Sequence, residues 1–233
     1  MTDEIPNPDL VRLNRERAAN RKPQYNMAGF RAPKVETVRV GVIGLKRGAG
    51  HVKALLQVGA VEIRALCDKD SETIQRVLGW CAATGHDPDV YSEGADAWRR
   101  LCERTDLDLI YVCSPFPLHA RMAMYAMRQG KHVATEVPAA GNMEECWDLV
   151  ETAEATRKHL MMLENYSYME FQLVMIRMAF RGFYGDIVHA EGAYNTSKTA
   201  KCFRKDAYSD MWWLKEYARR RGNIYPTHGL GPI

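Results

Sequence analysis

The sequence predicts a doubly wound parallel α/β sheet followed by the start of an α+β open-sheet domain. Three observations carry this expectation. From residue 37 short β-branched runs alternate with longer amphipathic ones, the order in which strands and helices follow one another in a parallel sheet. DLDLIYVCS (106–114) reads as a continuous apolar strand, as burial on both faces requires. After about residue 185 the register changes, and DIVHAEGAYN alternates as a strand does when one face is covered and the other open.

Each element follows from local chemistry. VRVGVIG (38–44) is the first strand and AGHVKALLQVG the helix after it; VEIRALCD (61–68) is the second strand and SETIQRVLGWCAATG a helix ended by Gly85. Tyr91 marks a weak third strand, GADAWRRLCERT is helical, and the apolar strand over 106–114 leads to the helix LHARMAMYAMRQG, closed by Gly130. KHVATEVP (131–138) is a strand. Asn142 caps the helix MEECWDLVETAEATRKH, and LMMLENYSY begins a sixth strand. The domain order is a polar extension over 1–35, the doubly wound domain over 36–168 and the start of a second domain over 169–233. The extension holds Pro6, Pro8, Pro23 and Pro33 among charges and is expected to be loosely ordered, with one short helix near VRLNRERAAN. The residues after 185 supply one strand, a Trp-rich segment and a closing loop, too little to cover a sheet face, so the second domain is expected to be cut short.

The 233 residues are 46% hydrophobic, enough for a sizeable core. The net charge is +3, from 32 basic and 29 acidic residues spread along the chain, which leaves no broad footprint for nucleic acid. Arg219, Arg220 and Arg221 read as a solvated face. The six cysteines form no C-x-x-C pair, and no histidine stands at zinc-finger spacing. Reduced thiols, no metal and a cytoplasmic location are expected. The first 35 residues lack an apolar signal region and no later apolar run is long enough for a bilayer, so no membrane association is expected.

Three stretches carry candidate chemistry. GVIGLKRGAGHV (41–52) joins the first strand to the first helix, where a Rossmann fold sets glycines against a pyrophosphate. From Gly44 the fingerprint wants glycines at 46 and 49; the sequence has Lys46 and Ala49, with glycines at 48 and 50. Gly44, Lys46, Arg47 and Gly48 are the cofactor-facing residues of this turn, with the Lys46 cation compensating for the absent glycine or the loop one residue shorter than usual. Asp68, at the end of the second strand, suits the adenosine ribose and would repel a 2′-phosphate, which favours NAD over NADP; an aspartate there can equally cap the next helix.

The second stretch is the set of strand ends, beyond which ligands of an open parallel sheet sit: Ser114 to His119, Glu136 to Pro138, and Glu164 to Tyr168. Ser114, Pro115 and His119 are assigned to the cofactor. Each also has a plain structural use, since Pro115 and Pro117 shape a turn, His119 can cap and Glu136 can pair with a lysine. The third stretch is GNIYPTHGLGPI (222–233), a loop composition around one tyrosine and one histidine. The adjacent Trp212 and Trp213 read as packing.

The segment C-S-P-x-x-x-H, the E-x-P after the fifth strand and the open sheet beginning near residue 185 resemble the Gfo/Idh/MocA oxidoreductases from about residue 36 to the end. Most dehydrogenases of that group carry lysine in E-K-P; here the middle residue is Val137. The E-V-P form, with GKHVATEVPAA, MMLEN, HAEGAY and GNIYPTHGLGP, resembles glycoside hydrolase family 109, the NAD-dependent α-N-acetylgalactosaminidases. The resemblance implies that Glu136, Val137 and Asn165 line the nicotinamide side. It implies that Tyr194, Asn223 and Tyr225 meet the sugar and that Tyr225 and His228 stand over the reacting carbons. Glu136 and Tyr166 or Tyr168 join them. It further implies oxidation at C3 by bound NAD, loss of the acidified C2 proton, elimination at C1, water addition and re-reduction. Two alternatives stay open: a plain NAD-dependent sugar or inositol dehydrogenase, against which Val137 weighs, and a non-catalytic NAD-binding or regulatory protein. The expected partner is a small sugar or glycoside, with homo-oligomer formation through the C-terminal sheet of the full-length protein.

Overall fold

The structure is a computed structural model and describes residues 8–21, 25–204, 211–220, 223 and 226–232. It forms two compact units, one of residues 1–135 and 139–161, the other of residues 136–138 and 162–233.

The first unit is built on alternating strands and helices. In chain order these are α1 (Pro8–Asn20), β1 (Val38–Ile43), α2 (Leu45–Leu55), β2 (Val61–Cys67), α3 (Ser71–Ala83), β3 (Asp89–Tyr91), α4 (Ala97–Cys102), β4 (Leu109–Val112), α5 (His119–Arg128), β5 (His132–Thr135), α6 (Met143–Thr156) and β6 (Leu160–Met162). The strands lie in the order β3-β2-β1-β4-β5-β6, and the paired neighbours β3-β2, β2-β1, β1-β4 and β4-β5 are parallel. The order reverses between β1 and β4, which is the switch point of a doubly wound sheet.

Strand residues alternate between two apolar layers because successive side chains leave a strand on opposite faces. Val40, Val42, Ile63 and Leu66 pack with Val52 of α2 and Ile74 and Val77 of α3. Ile43, Ala65, Ile110 and Val112 pack with Leu101 of α4 and with Ala123 and Met127 of α5. The predicted order of strands and helices is observed. One boundary differs in a way that bears on the site: α2 begins at Leu45, directly after Gly44, so Lys46 and Arg47 lie in its first turn rather than in a loop.

The described part of the N-terminal extension is held rather than loose. The Arg17 guanidinium donates to Asp148 and Glu151 of α6 at 3.1 and 2.7 Å, Arg21 donates to Glu154, and the Trp147 indole donates to Asn14 at 2.8 Å. Arg157 donates to the backbone carbonyl of Tyr25 and lies over the Phe30 ring at 4.4 Å. Charge complementarity between a basic helix face and the acidic face of α6 thus docks the arm.

The second unit contains α7 (Glu170–Phe180), α8 (Thr199–Cys202), α9 (Trp212–Arg219) and α10 (Thr227–Leu230), with a short 3-10 turn, Asn165–Tyr168, before them. Among the described residues no strand follows β6, and the strand expected over DIVHAEGAYN is not formed. Alternation alone does not make a strand: a ladder needs a partner, and none of the described residues supplies one. Trp213 is buried, as expected for a packing residue, with Lys198 near its ring.

Candidate functional site

In the first unit the candidate residues surround the turn from β1 to α2. Gly44 has φ 89°, and a Cβ there would lie 2.5 Å from the Cys113 carbonyl oxygen, so only glycine lets this turn pass so close to the end of β4. Gly48 sits one turn on, and its Cβ would meet a Val42 methyl at 2.9 Å and Cys113 Cβ at 3.3 Å. Close packing of helix on strand, the task of the third fingerprint glycine, therefore falls to Gly48 and not to position 49. Lys46, at the place of the second glycine, is half exposed and stands 3.6 Å from the Asp70 carboxylate; Arg47 is exposed.

Asp68 closes β2 as expected. One carboxylate oxygen accepts from the Leu45 amide, tying β2 to the first residue of α2, and the other accepts from the amides of Lys69 and Asp70 at 2.7 and 2.9 Å. It does not cap α3. That task belongs to Asp70, which accepts from the Thr73 amide at 3.3 Å. This amide, and then the Lys46 cation, hold the Asp70 carboxyl below its ordinary range. Next to Asp68, burial pushes the Cys67 thiol up to about 12, with the Asp68 charge adding to it, so Cys67 is apolar filling and not a nucleophile.

Ser114 and Pro115 follow β4 and are partly exposed. His119 is only 2% exposed, and its Nε2 lies 2.7 Å from the Ser114 carbonyl oxygen, so its side chain braces the turn that carries Ser114 and Pro115. The first turn of α2 has no acidic residue and no side-chain cap at Gly44. Helix amides, the positive end of a helix dipole and two cations make a donor set that fits an anionic diphosphate, with the Asp68 carboxylate at the next strand end suited to sugar hydroxyls.

In the second unit three of the candidate residues, Tyr166, Tyr194 and His228, meet in ring contact. Glu136 and Val137 are 5% and 4% exposed, the Val137 amide lies 3.3 Å from a Glu136 carboxylate oxygen, and the Val137–Pro138 peptide is cis. His228, in α10, is 9% exposed and packs against two tyrosine rings, with Tyr166 at 4.5 Å and Tyr194 edge-on at 4.6 Å. Those two rings meet each other at 5.5 Å. Of the two tyrosines left open by the sequence, Tyr166 reaches the cluster, whereas Tyr168 is 61% exposed. Asn165 and Asn223 are exposed, and Tyr225 lies outside the described residues.

The glycines around His228 have a local reason. A Cβ on Gly231 would lie 2.9 Å from Ser167 Oγ and 3.2 Å from Glu164 Cγ, and one on Gly229 would lie 3.2 Å from the Gly192 carbonyl oxygen. Where the composition of 222–233 predicts a loop, residues 227–230 form the one-turn helix α10, closed by Gly231, and the H-G-L-G run lets it nest against the 165–168 turn and the segment around Gly192. Sequence reasoning inspected Glu164 as a strand-end residue but gave it no role. The structure places it 5% exposed, with Oε1 2.6 Å from His228 Nδ1 and 3.1 Å from the Tyr166 amide nitrogen. Among the described residues no three His, Cys, Asp or Glu side chains gather as a metal ion requires, and no helix is long and apolar enough to cross a membrane.

A parallel sheet with a glycine turn at its switch point, a carboxylate after the second strand and a cationic helix start defines a dinucleotide-binding α/β protein. Residues 38–164 match the Gfo/Idh/MocA family, described as "Oxidoreductase family, NAD-binding Rossmann fold", and the chain belongs to that family. It is 43% identical over 215 residues to an α-N-acetylgalactosaminidase of Bacteroides fragilis, covering 90% of this chain and 50% of that protein. It is 41% identical over 222 residues to a glycosyl hydrolase family 109 protein of Porphyromonas gingivalis, covering 93% of this chain and 46% of that one. The chain spans about half the length of these curated relatives. Among solved structures, it is similar to a scyllo-inositol dehydrogenase from Lactobacillus casei with bound NAD(H) and scyllo-inositol, with TM-score 0.57 and 18% identity over 65% of this chain and 43% of that one. That likeness concerns the fold.

Proposed function

We propose that this chain carries the cofactor domain and part of the sugar site of an NAD-dependent glycosidase of the family 109 kind. The observation that carries the reading is the cluster of the buried His228 with the partly exposed Tyr166 and Tyr194, three groups assigned to sugar chemistry from separate stretches of sequence and brought within ring contact in one unit. The similarity to the α-N-acetylgalactosaminidase extends across both units and supports it. Val137 supports it as well: a buried valine cannot hold the hydroxyl that the lysine of E-K-P holds in a simple dehydrogenase.

Bound NAD would supply a two-electron acceptor that returns the same electrons within one turnover. Gly44, Lys46, Arg47 and Gly48 would face its diphosphate, Asp68 its adenosine ribose, and Ser114, Pro115, Glu136, Val137 and Asn165 its nicotinamide half. His119 would act through the Ser114 turn that it braces. His228 would take the C2 proton of the oxidised sugar, for which an imidazole suits because its neutral ring accepts a proton near operating pH. Tyr225 would hydrogen-bond the C3 oxygen, while Tyr166, Tyr194 and Asn223 orient the ring.

In the whole protein His228→Ala should slow deuterium uptake at C2 by about 10²- to 10⁴-fold while leaving NAD affinity unchanged. No reduced cofactor should accumulate during turnover of an α-N-acetylgalactosaminide. Stoichiometric reduced cofactor with a stable keto-sugar would establish a plain dehydrogenase instead. Asp68→Ala should lower the preference for NAD over NADP in calorimetry, and an unchanged ratio would remove Asp68 from cofactor selection.

A further inference from the structure

We infer that Glu164 is a positioning residue for His228: its buried carboxylate takes the Nδ1 proton of the neutral ring in a hydrogen bond, which fixes that tautomer and leaves Nε2 as the proton-accepting nitrogen. This deepens the reading of His228 as the proton carrier and rests on it.

Four observations carry the inference. The Oε1 to Nδ1 separation is 2.6 Å, and both side chains are buried, at 7% and 8% exposure. An ionised carboxylate only accepts, so the ring must donate from Nδ1. The carboxylate is itself fixed, because Oε1 also lies 3.1 Å from the Tyr166 amide nitrogen at the start of the 165–168 turn. The ring is further restrained by packing against Tyr166 and Tyr194, at 4.5 and 4.6 Å. Finally, Gly231 gives the clearance for this close approach, since a Cβ there would lie 3.2 Å from Glu164 Cγ.

A stabilising role alone does not account for the pair. Among the described residues, Glu164 Oε2 is buried and has no hydrogen-bond partner, so burying this carboxylate is costly where an apolar pair of similar volume would not be. The arrangement follows the logic of a base oriented by a third group, in which loss of the orienting carboxylate leaves geometry intact but permits the wrong tautomer.

The test begins with ring-nitrogen chemical shifts of the ¹⁵N-labelled chain, recorded where the same spectrum shows the His228 ring neutral. The expected result is the Nδ1–H tautomer in the wild type. In Glu164→Gln, whose amide can donate as well as accept, the Nε2–H form should appear, while the melting temperature stays close to that of the wild type. In the whole protein, C2 deuterium uptake should fall about 10²- to 10⁴-fold in Glu164→Gln, and Glu164→Asp, which keeps the charge, should restore part of it. An Nε2–H ring in the wild type, or an unchanged tautomer in Glu164→Gln, overturns the inference whatever the enzyme's activity. If Glu164→Gln fails to fold, the wild-type tautomer decides alone. Normal C2 exchange in His228→Ala would instead sink the proposed role of His228, and with it the catalytic consequence of Glu164, even where the hydrogen bond is present.

Discussion

The two units bury different things. In the first, the buried residues are mainly aliphatic: Val40, Val42, Leu66, Val77, Leu101, Ile110 and Val112 are all fully enclosed, in two layers on either face of one sheet. In the second, the buried residues among those described are Glu136, Val137, Pro138, Glu164, Cys202, Trp213 and His228. Its longest helix, α7, has no buried residue, and Phe180 and Val188 are 87% and 96% exposed. Apolar burial stabilises, whereas buried polar groups cost stability unless they are paired. The contrast therefore separates a scaffold held by aliphatic packing from a unit whose few buried residues include two carboxylates and a histidine.

This contrast can be broken most severely at Gly44. Gly44→Ala adds a Cβ against the Cys113 backbone at positive φ, and neither side can yield without parting the ends of the central strands β1 and β4. A loss of about 3–5 kcal/mol is expected from strain and clash together, read as a shift of the urea midpoint. Gly231→Ala meets Ser167 Oγ and its own helix instead, so its effect should stay local to the His228 signals and leave the midpoint of the first unit in place.

Core truncation is the next largest effect. Leu101→Ala should cost about 2–5 kcal/mol, because Leu101, on α4, is fully enclosed against the sheet and α5. Phe180→Ser should change stability by less than about 0.5 kcal/mol, because the ring is already in solvent. Equal losses in the two variants would show that α7 contributes packing of its own and would erase the distinction between the units.

The smallest expected effect is a pH dependence confined to the first unit. His132 Nδ1 accepts from the His159 amide at 2.9 Å, and its ring stacks on that of His159 at 5.2 Å. Burial, then the positive Lys158 and the neighbouring His159, push its pKa below the ordinary 6.5, with Asp108 opposing them. A depressed histidine binds its proton less readily folded than unfolded, so stability should fall as pH drops below about 6.5 and level off above it. His132→Asn, which keeps an acceptor but cannot titrate, should flatten that slope in chemical unfolding followed from pH 5 to about 8. An unchanged slope would place the titration elsewhere.

Some of this was legible in residues next to one another. The alternation of β-branched and amphipathic runs determined six strands in a doubly wound order, because local period and length decide which segments can bury which faces. Asn142 capping α6 and Gly85 and Gly130 after α3 and α5 were readable for the same reason: caps and turns are made within a few residues. DIVHAEGAYN was misread because its alternation is a local property, while a strand exists only with a partner. The start of α2 was misread because the fingerprint was counted from glycine spacing, whereas the helix begins where Asp68 meets the Leu45 amide, a contact between separate strand ends.

The sequence by itself therefore determined the scaffold and the strand-end carboxylate at Asp68, and it singled out His228, although that residue lies in the short helix α10 and not in a loop. Only the tertiary structure decided that Gly48 performs the close packing, that Tyr166 rather than Tyr168 reaches His228, and that Glu164 is the partner of that histidine. The physical reason is range. Propensity, capping and turn chemistry act over a few residues, but a hydrogen bond between side chains 64 positions apart exists only after the fold has brought their elements together and excluded water from between them.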